Sequence, residues 1–164
     1  MSNFEDAPLV SLKRRRLSKF LAASLLLLGV VAPCQAASLD MASYRGKVVY
    51  LDFWASWCTP CHLSFPWMNS IQQEYASEGL VVLAVDLDRD RAKADDFLAT
   101  DRGQLNIVYD PKGDIAKQFN FKDMPTAILI GRDGKIHAVH SGFVVSQENA
   151  YLADVVSLLH QKAP

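Results

Sequence analysis

The run "KVVYLDFWA" at residues 47–55 constrains this chain more than any other feature. It is nearly all apolar and β-branched, without polar alternation, so it reads as a strand covered on both faces. A strand of that kind needs neighbours on either side and layers above and below it. The rest of the sequence supplies them. "LVVLAVDL" (80–87) is a second buried strand, "LNIVYD" (105–110) a short third, and "TAILIG" (126–131) and "KIHAVHSG" (135–142) flank the turn Arg132-Asp133-Gly134, a hairpin signal. Leu63, Phe65, Met68, Ile71 and Tyr75 recur at helical spacing in a segment that Pro66 kinks and Gly79 stops. "DRAKADDFLATD" (90–101) is a polar-faced helix, "GDIAKQF" (113–119) a brief one, and "SQENAYLADVVSLLHQ" (146–161) an amphipathic closing helix opened by Ser146. Alternation comes first and an antiparallel hairpin last, so the expected architecture is α/β, a central mixed sheet with helices on both faces.

The 164 residues hold one such domain and a leader. Lys13-Arg14-Arg15-Arg16 and Lys19 precede the apolar run "FLAASLLLLGVVA", which Pro33 and the small-residue stretch "CQAAS" follow. Basic, apolar and small segments in that order make a secretory signal, and the apolar run falls short of the roughly 18 to 20 residues of a membrane span. Residues 1–36 are therefore expected to be a signal peptide cleaved after Ala36, with 37–164 as the domain. The long, partly acidic lead-in "MSNFEDAPLVSL" leaves an uncleaved anchor as the alternative, and Cys34 could carry a lipid, although Pro33 is a poor context for it. The paired arginines hint weakly at twin-arginine export.

Without residues 1–36 the domain has twelve Lys/Arg against sixteen Asp/Glu, a net charge of −4. A mildly acidic surface with no basic run argues against a nucleic-acid partner. Only Cys58 and Cys61 remain, and a lone pair has no other thiol to scramble with, unlike a structural disulfide framework.

Those cysteines sit in "WASWCTPCHLSF" (54–65), which carries two incompatible readings. Cys58-Thr59-Pro60-Cys61-His62 is both a c-type haem attachment run and a C-x-x-C dithiol following a strand. At a helix N-terminus unpaired N–H groups and the helix dipole stabilise a thiolate, which suits Cys58. Cys61 falls one turn later and can close the small ring, and Pro60 presets helical φ. A haem histidine must be free to reach iron, whereas His62 falls inside the helix. Zinc would need a second ligand pair. The dithiol fits best, with no cofactor and no metal expected.

"VVYLDFWASWCTPC" together with "MPT" (124–126) resembles the thioredoxin superfamily, and within it the exported TlpA/ResA-like thiol-disulfide reductases. The likeness runs from about Tyr44 to the last helix. It implies a thioredoxin-like fold with a TlpA-type helix-strand insertion, for which "DDFLATDRGQLNIVYD" has the length. A peroxiredoxin-type Thr loop is absent, and "KDMPT" departs from the stretch usual in the cytochrome-maturation branch.

The resemblance makes Cys58 the nucleophile, Cys61 the resolving thiol and Pro125 the proline after a cis bond, presenting the backbone of Met124 to a client. Trp54 and Trp57 are expected to wall the site, with Thr59 and Pro60 also on the client side. Many relatives place a Glu three residues after the second cysteine, where this chain has Ser64. It carries instead Asp52, at the position of thioredoxin's buried Asp, without an evident Lys partner. A carboxyl in an apolar strand should have its pKa raised toward neutrality, as a proton relay requires. Phe65 and Met68 read as core; His137, His140 and His160 as exposed; Asp86, Asp88 and Asp90 as a solvated strand end rather than a cation site.

The function this implies is an exported reductase of disulfides in envelope client proteins, recharged by a membrane-embedded dithiol donor and working as a monomer. A c-type haem protein, a thiol oxidant and a non-catalytic client-binding module are the alternatives.

Overall fold

The computed structural model describes residues 39–162. The leader, its cleavage after Ala36 and Cys34 lie outside them. Strand β1 (Val48–Trp54) is the middle of a five-stranded sheet, and all seven of its residues are buried. On one side it pairs in parallel with β2 (Leu80–Asp86), and on the other antiparallel with β4 (Thr126–Ile130). Strands β3 (Asn106–Tyr109) and β5 (Ile136–Ser141) are the two edges, giving the order β3-β2-β1-β4-β5. The sheet is mixed, as the sequence pattern predicts.

The period-2 geometry of β1 divides the core. Val48, Tyr50 and Trp54 face one layer, formed by α1 (Thr59–Tyr75), α2 (Arg91–Asp101) and α4 (Glu148–Leu159). Val49, Leu51 and Phe53 face the other, where Leu39, Met41 and Tyr44, Ile115 of the loop before the single turn α3 (Ala116–Phe119), and Phe119 and Phe121 cover the sheet. Helices flank both faces, but the second face is closed by short pieces.

Helix α1 buries Cys61, Ser64, Phe65, Met68, Ile71 and Gln72. Leu63, expected on that face, is 54 % exposed. Residues 63 and 65 lie about 200° apart around a helix, so both cannot face the sheet. Ser64 takes the inner position, its hydroxyl donating to the Cys61 carbonyl at 2.9 Å. Gly79, at φ +100°, ends the helical stretch as expected. Gln72 reaches β2 where β3 has not yet begun: its Oε1 accepts from Val82 N–H at 2.6 Å.

The α2–β3 unit is the expected insertion between the two halves. Asp90 caps α2 through Ala92 N–H, and β3 pairs in parallel with β2. Asp110 organises the approach to α3 by accepting from the N–H groups of Asp114, Ile115 and Ala116. The β4–β5 turn closes through Gly134, at φ +78°. Ser146 does not cap α4; it lies in a 3-10 turn, Val145–Gln147, that leads into the helix.

Candidate active site

The end of β1 and the start of α1 are joined by Ala55, Ser56, Trp57 and Cys58. Cys58 is the N-cap residue of α1 and donates its N–H to Ala55 O at 3.0 Å. Cys61 follows in the first turn, and the two are joined by a disulfide with Cα atoms 5.3 Å apart. Cys61 is fully buried and Cys58 is 5 % exposed. Cys58 is the less enclosed of the two, yet it is far more covered than a freely exposed thiol. The Met124–Pro125 bond is cis, and Met124, half-buried, packs on the same apolar cluster as both cysteines.

The two tryptophans part company. Trp57 is 67 % exposed beside the disulfide loop. Trp54, also expected to wall the site, is fully buried, its ring 4.8 Å from Phe65 and 5.1 Å from Phe97. Its position in β1 turns it inward, so it is core. Thr59 and Pro60 are exposed at the head of α1.

Asp52 is buried among apolar neighbours, and its Oδ2 has no hydrogen-bond partner. Its cross-strand neighbours, Ala84 and Ala127, offer neither charge nor donor in their side chains. Burial alone raises its pKa well above the ordinary carboxylate value. The same alternation that sends Tyr50 and Trp54 toward α1 gives Asp52 that face.

His62 turns back toward the loop. Its Nε2 donates to Ser56 O at 2.7 Å and its ring stacks on Phe97 of α2 at 4.4 Å. A carbonyl only accepts, so Nε2 carries the proton. This engagement, with both sulfurs bound to each other, opposes the haem reading of the same five residues. Among the described residues no group of three or more His, Cys, Asp or Glu is placed to hold a metal ion.

The acidic run after β2 is not a solvated strand end. Asp86 and Asp88 are 1 % and 3 % exposed. Asp88 accepts from Ser56 N–H at 2.6 Å and from Ser56 Oγ at 2.9 Å, and its own N–H donates to Asp86 Oδ1 at 3.0 Å. Burial, partly offset by that bond, pushes the Asp86 carboxyl up to about 7. Sequence reasoning missed this contact because Ser56 and Asp88 are 32 residues apart. The available signal was positional: the two parallel strands β1 and β2 end side by side, with Trp54 opposite Asp86, so polar residues just beyond both ends meet. His140 also differs from expectation. Its side chain is 13 % exposed, bonded to Asp154 at 3.0 Å and packed on Tyr151 at 4.8 Å, whereas His137 and His160 are exposed.

The mixed five-stranded sheet with a Cys-x-x-Cys disulfide at the start of α1 defines the class as thioredoxin-like. The chain belongs to the Redoxin family, whose model matches residues 31–155. It is 30 % identical over 107 residues to the thiol-disulfide oxidoreductase ResA of Bacillus thuringiensis subsp. konkukian, covering 65 % of this chain and 62 % of that one. The chain thus spans less than two thirds of the length of that relative. Among solved structures, a Chlorobium tepidum protein provisionally described as a thiol:disulfide interchange protein DsbE is 42 % identical with a TM-score of 0.71, over 73 % of this chain and 84 % of that one. The exposed lipoprotein thioredoxin of Streptococcus pneumoniae strain TIGR4 is 31 % identical with a TM-score of 0.64, over 72 % and 90 %. Among the described residues no helix is long and apolar enough to cross a membrane.

Proposed function

We propose that this protein reduces disulfides of client proteins in the cell envelope by dithiol exchange. The observation that carries the reading is the Cys58–Cys61 disulfide at the head of α1, with Cys58 the more accessible sulfur. In the reduced protein the Cys58 thiolate attacks one sulfur of a client disulfide, forming a mixed disulfide and expelling the client's other sulfur as a thiolate. Cys61 then loses its proton and attacks Cys58 Sγ. The second client thiol leaves, and the Cys58–Cys61 disulfide forms. Two electrons have passed to the client, and an upstream dithiol, in our reading membrane-embedded, must return them.

Asp52 is the group we assign to the Cys61 proton, because burial raises its carboxyl pKa well above the ordinary carboxylate value and makes it a better proton acceptor than an exposed acid. Trp57, Thr59, Pro60 and Met124 are the surface we assign to the client chain, each exposed or half-exposed around the disulfide. Export rests on the basic, apolar and small-residue order of residues 13–36.

The test is client reduction. The reduced domain should precipitate insulin by cleaving its disulfides, and Cys61→Ala, unable to resolve, should accumulate mixed disulfides through Cys58. Absence of both activities in folded, fully reduced protein refutes the reading.

A further inference from the structure

The acidic segment after β2 has so far been given no part in the chemistry, yet it holds the loop that delivers Cys58. Ser56 is engaged through all three of its polar groups. Its N–H and Oγ–H both donate to the Asp88 carboxylate, and its carbonyl accepts from His62 Nε2 of α1. Asp88 is itself fixed, being buried, with its N–H on Asp86 Oδ1, while the preceding residue, Leu87, donates its N–H to Trp54 O at 2.9 Å. The end of β2 therefore clamps the turn between β1 and α1 on both strands of the junction. Charge-assisted bonds from one residue to both oxygens of a carboxylate are the strong, orienting kind.

We infer that Asp88 is the positioning residue of the dithiol site, holding the Ser56 turn so that Cys58 caps α1, with its carboxylate bonded two residues before Cys58 and opposing ionisation of the thiol. The proposal rests on the dithiol reading for its purpose, but not for its test.

Asp88 bonds a residue two before Cys58, and an acidic neighbour disfavours a second negative charge. The other groups around the same groove, of about 260 Å³, are Trp57, Leu87, Arg89, Asp90 and Lys93. Asp90 is occupied in capping α2, and Asp95 adds to the negative surroundings of Asp86. Buried Asp86 sits behind Asp88, its Oδ1 accepting from the Asp88 N–H.

Two substitutions separate charge from geometry. Asp88→Asn keeps the shape, and its amide can still accept from Ser56 N–H while donating to Ser56 Oγ, so mainly the charge is lost. Ser56→Ala keeps the charge and removes one of the two bonds. The readout is the pH dependence of Cys58 alkylation in the reduced protein, with exchange against a small aromatic disulfide measured alongside. Asp88→Asn should move the alkylation midpoint to lower pH by roughly half a unit. Ser56→Ala should leave that midpoint in place and slow exchange several-fold. A role in fold stability alone would lower the melting temperature and move neither.

An unchanged midpoint in folded Asp88→Asn, or a wild-type exchange rate in Ser56→Ala, overturns the proposal. Should Asp88→Asn not fold, Ser56→Ala decides. Alkylation reads Cys58 without a client, so a protein inert toward insulin but shifted here would sink the reductase reading and leave this one standing.

Discussion

Asp52 is a buried acid that weakens the fold it belongs to. Its Oδ2 has no partner, and its raised pKa means the folded state holds a proton that the unfolded chain releases at ordinary acidity. Its destabilising effect is therefore absent below the ordinary carboxylate pKa, grows as pH rises toward the folded-state pKa, and is full above it. Asp52→Asn should melt higher than the wild type at neutral pH and equally at acid pH, while resolving mixed disulfides more slowly. A lower melting temperature at neutral pH would count against this account of the residue. Asp86 adds a second contribution of the same sign, between the ordinary carboxylate range and about 7. Asp86→Asn should flatten the fall in stability across that interval, as thermal melts in a pH series would record. In the reduced domain at neutral pH, Cys58 rather than Cys61 should react with iodoacetamide, because Cys61 is wholly enclosed; peptide mapping that finds Cys61 modified first would reverse their roles. Asp52 was legible in the sequence, since a lone acid in an unbroken apolar strand has few explanations. Asp88 was not, because its partner comes from another strand's end, and three aspartates at alternate positions look the same whether water or a serine meets them.

At the scale of elements, the sheet and the helix order could be read from period and punctuation, and the misreadings are errors of phase. Leu63 and Phe65 share the apolar spacing of the sequence, yet the helix rotates by about 200° between them. The buried positions were Ser64 and Gln72, polar residues whose bonds go to the helix's own Cys61 carbonyl and to β2. No apolar pattern marks such residues. The same holds at the α2–β3 junction, where Asn69 of α1 donates to Asp101 O and accepts from Gln104 N–H. Gly103 lies within that bracket at φ +51°, and a Cβ there would land on Asn69 Oδ1. Gly103→Ala should destabilise the domain by roughly 1 to 3 kcal/mol, combining left-handed strain with the displaced amide. A denaturation midpoint equal to the wild type would show that the bracket has no such role.

Across the whole molecule, distant segments are tied by one cation. Arg132, in the β4–β5 turn, donates to Gly46 O, Glu78 O and Leu159 O, joining the approach to β1, the 3-10 turn Ala76–Glu78 that follows α1 and the C-terminus of α4. Cations suit a helix C-terminus, where carbonyls are left unpaired. Arg132→Ala should cost roughly 2 kcal/mol and lower the melting temperature without altering the dithiol, as unchanged alkylation of Cys58 would verify. In the sequence Arg132 reads only as a turn residue, because nothing local signals three acceptors so far apart along the chain. The residues between the cysteines, Thr59 and Pro60, give a Cys58 thiolate little stabilisation, and Pro60 has no N–H to donate. Buried Asp52 and Asp88 add no positive charge to help it. The disulfide is therefore expected to be stable and its reduced form strongly reducing. Equilibration of the domain in thiol redox buffers, followed by the fluorescence of Trp54 and Trp57, measures this directly. The account predicts a midpoint near the thioredoxin value of about −270 mV, and one above about −150 mV would make the protein an oxidant and contradict it.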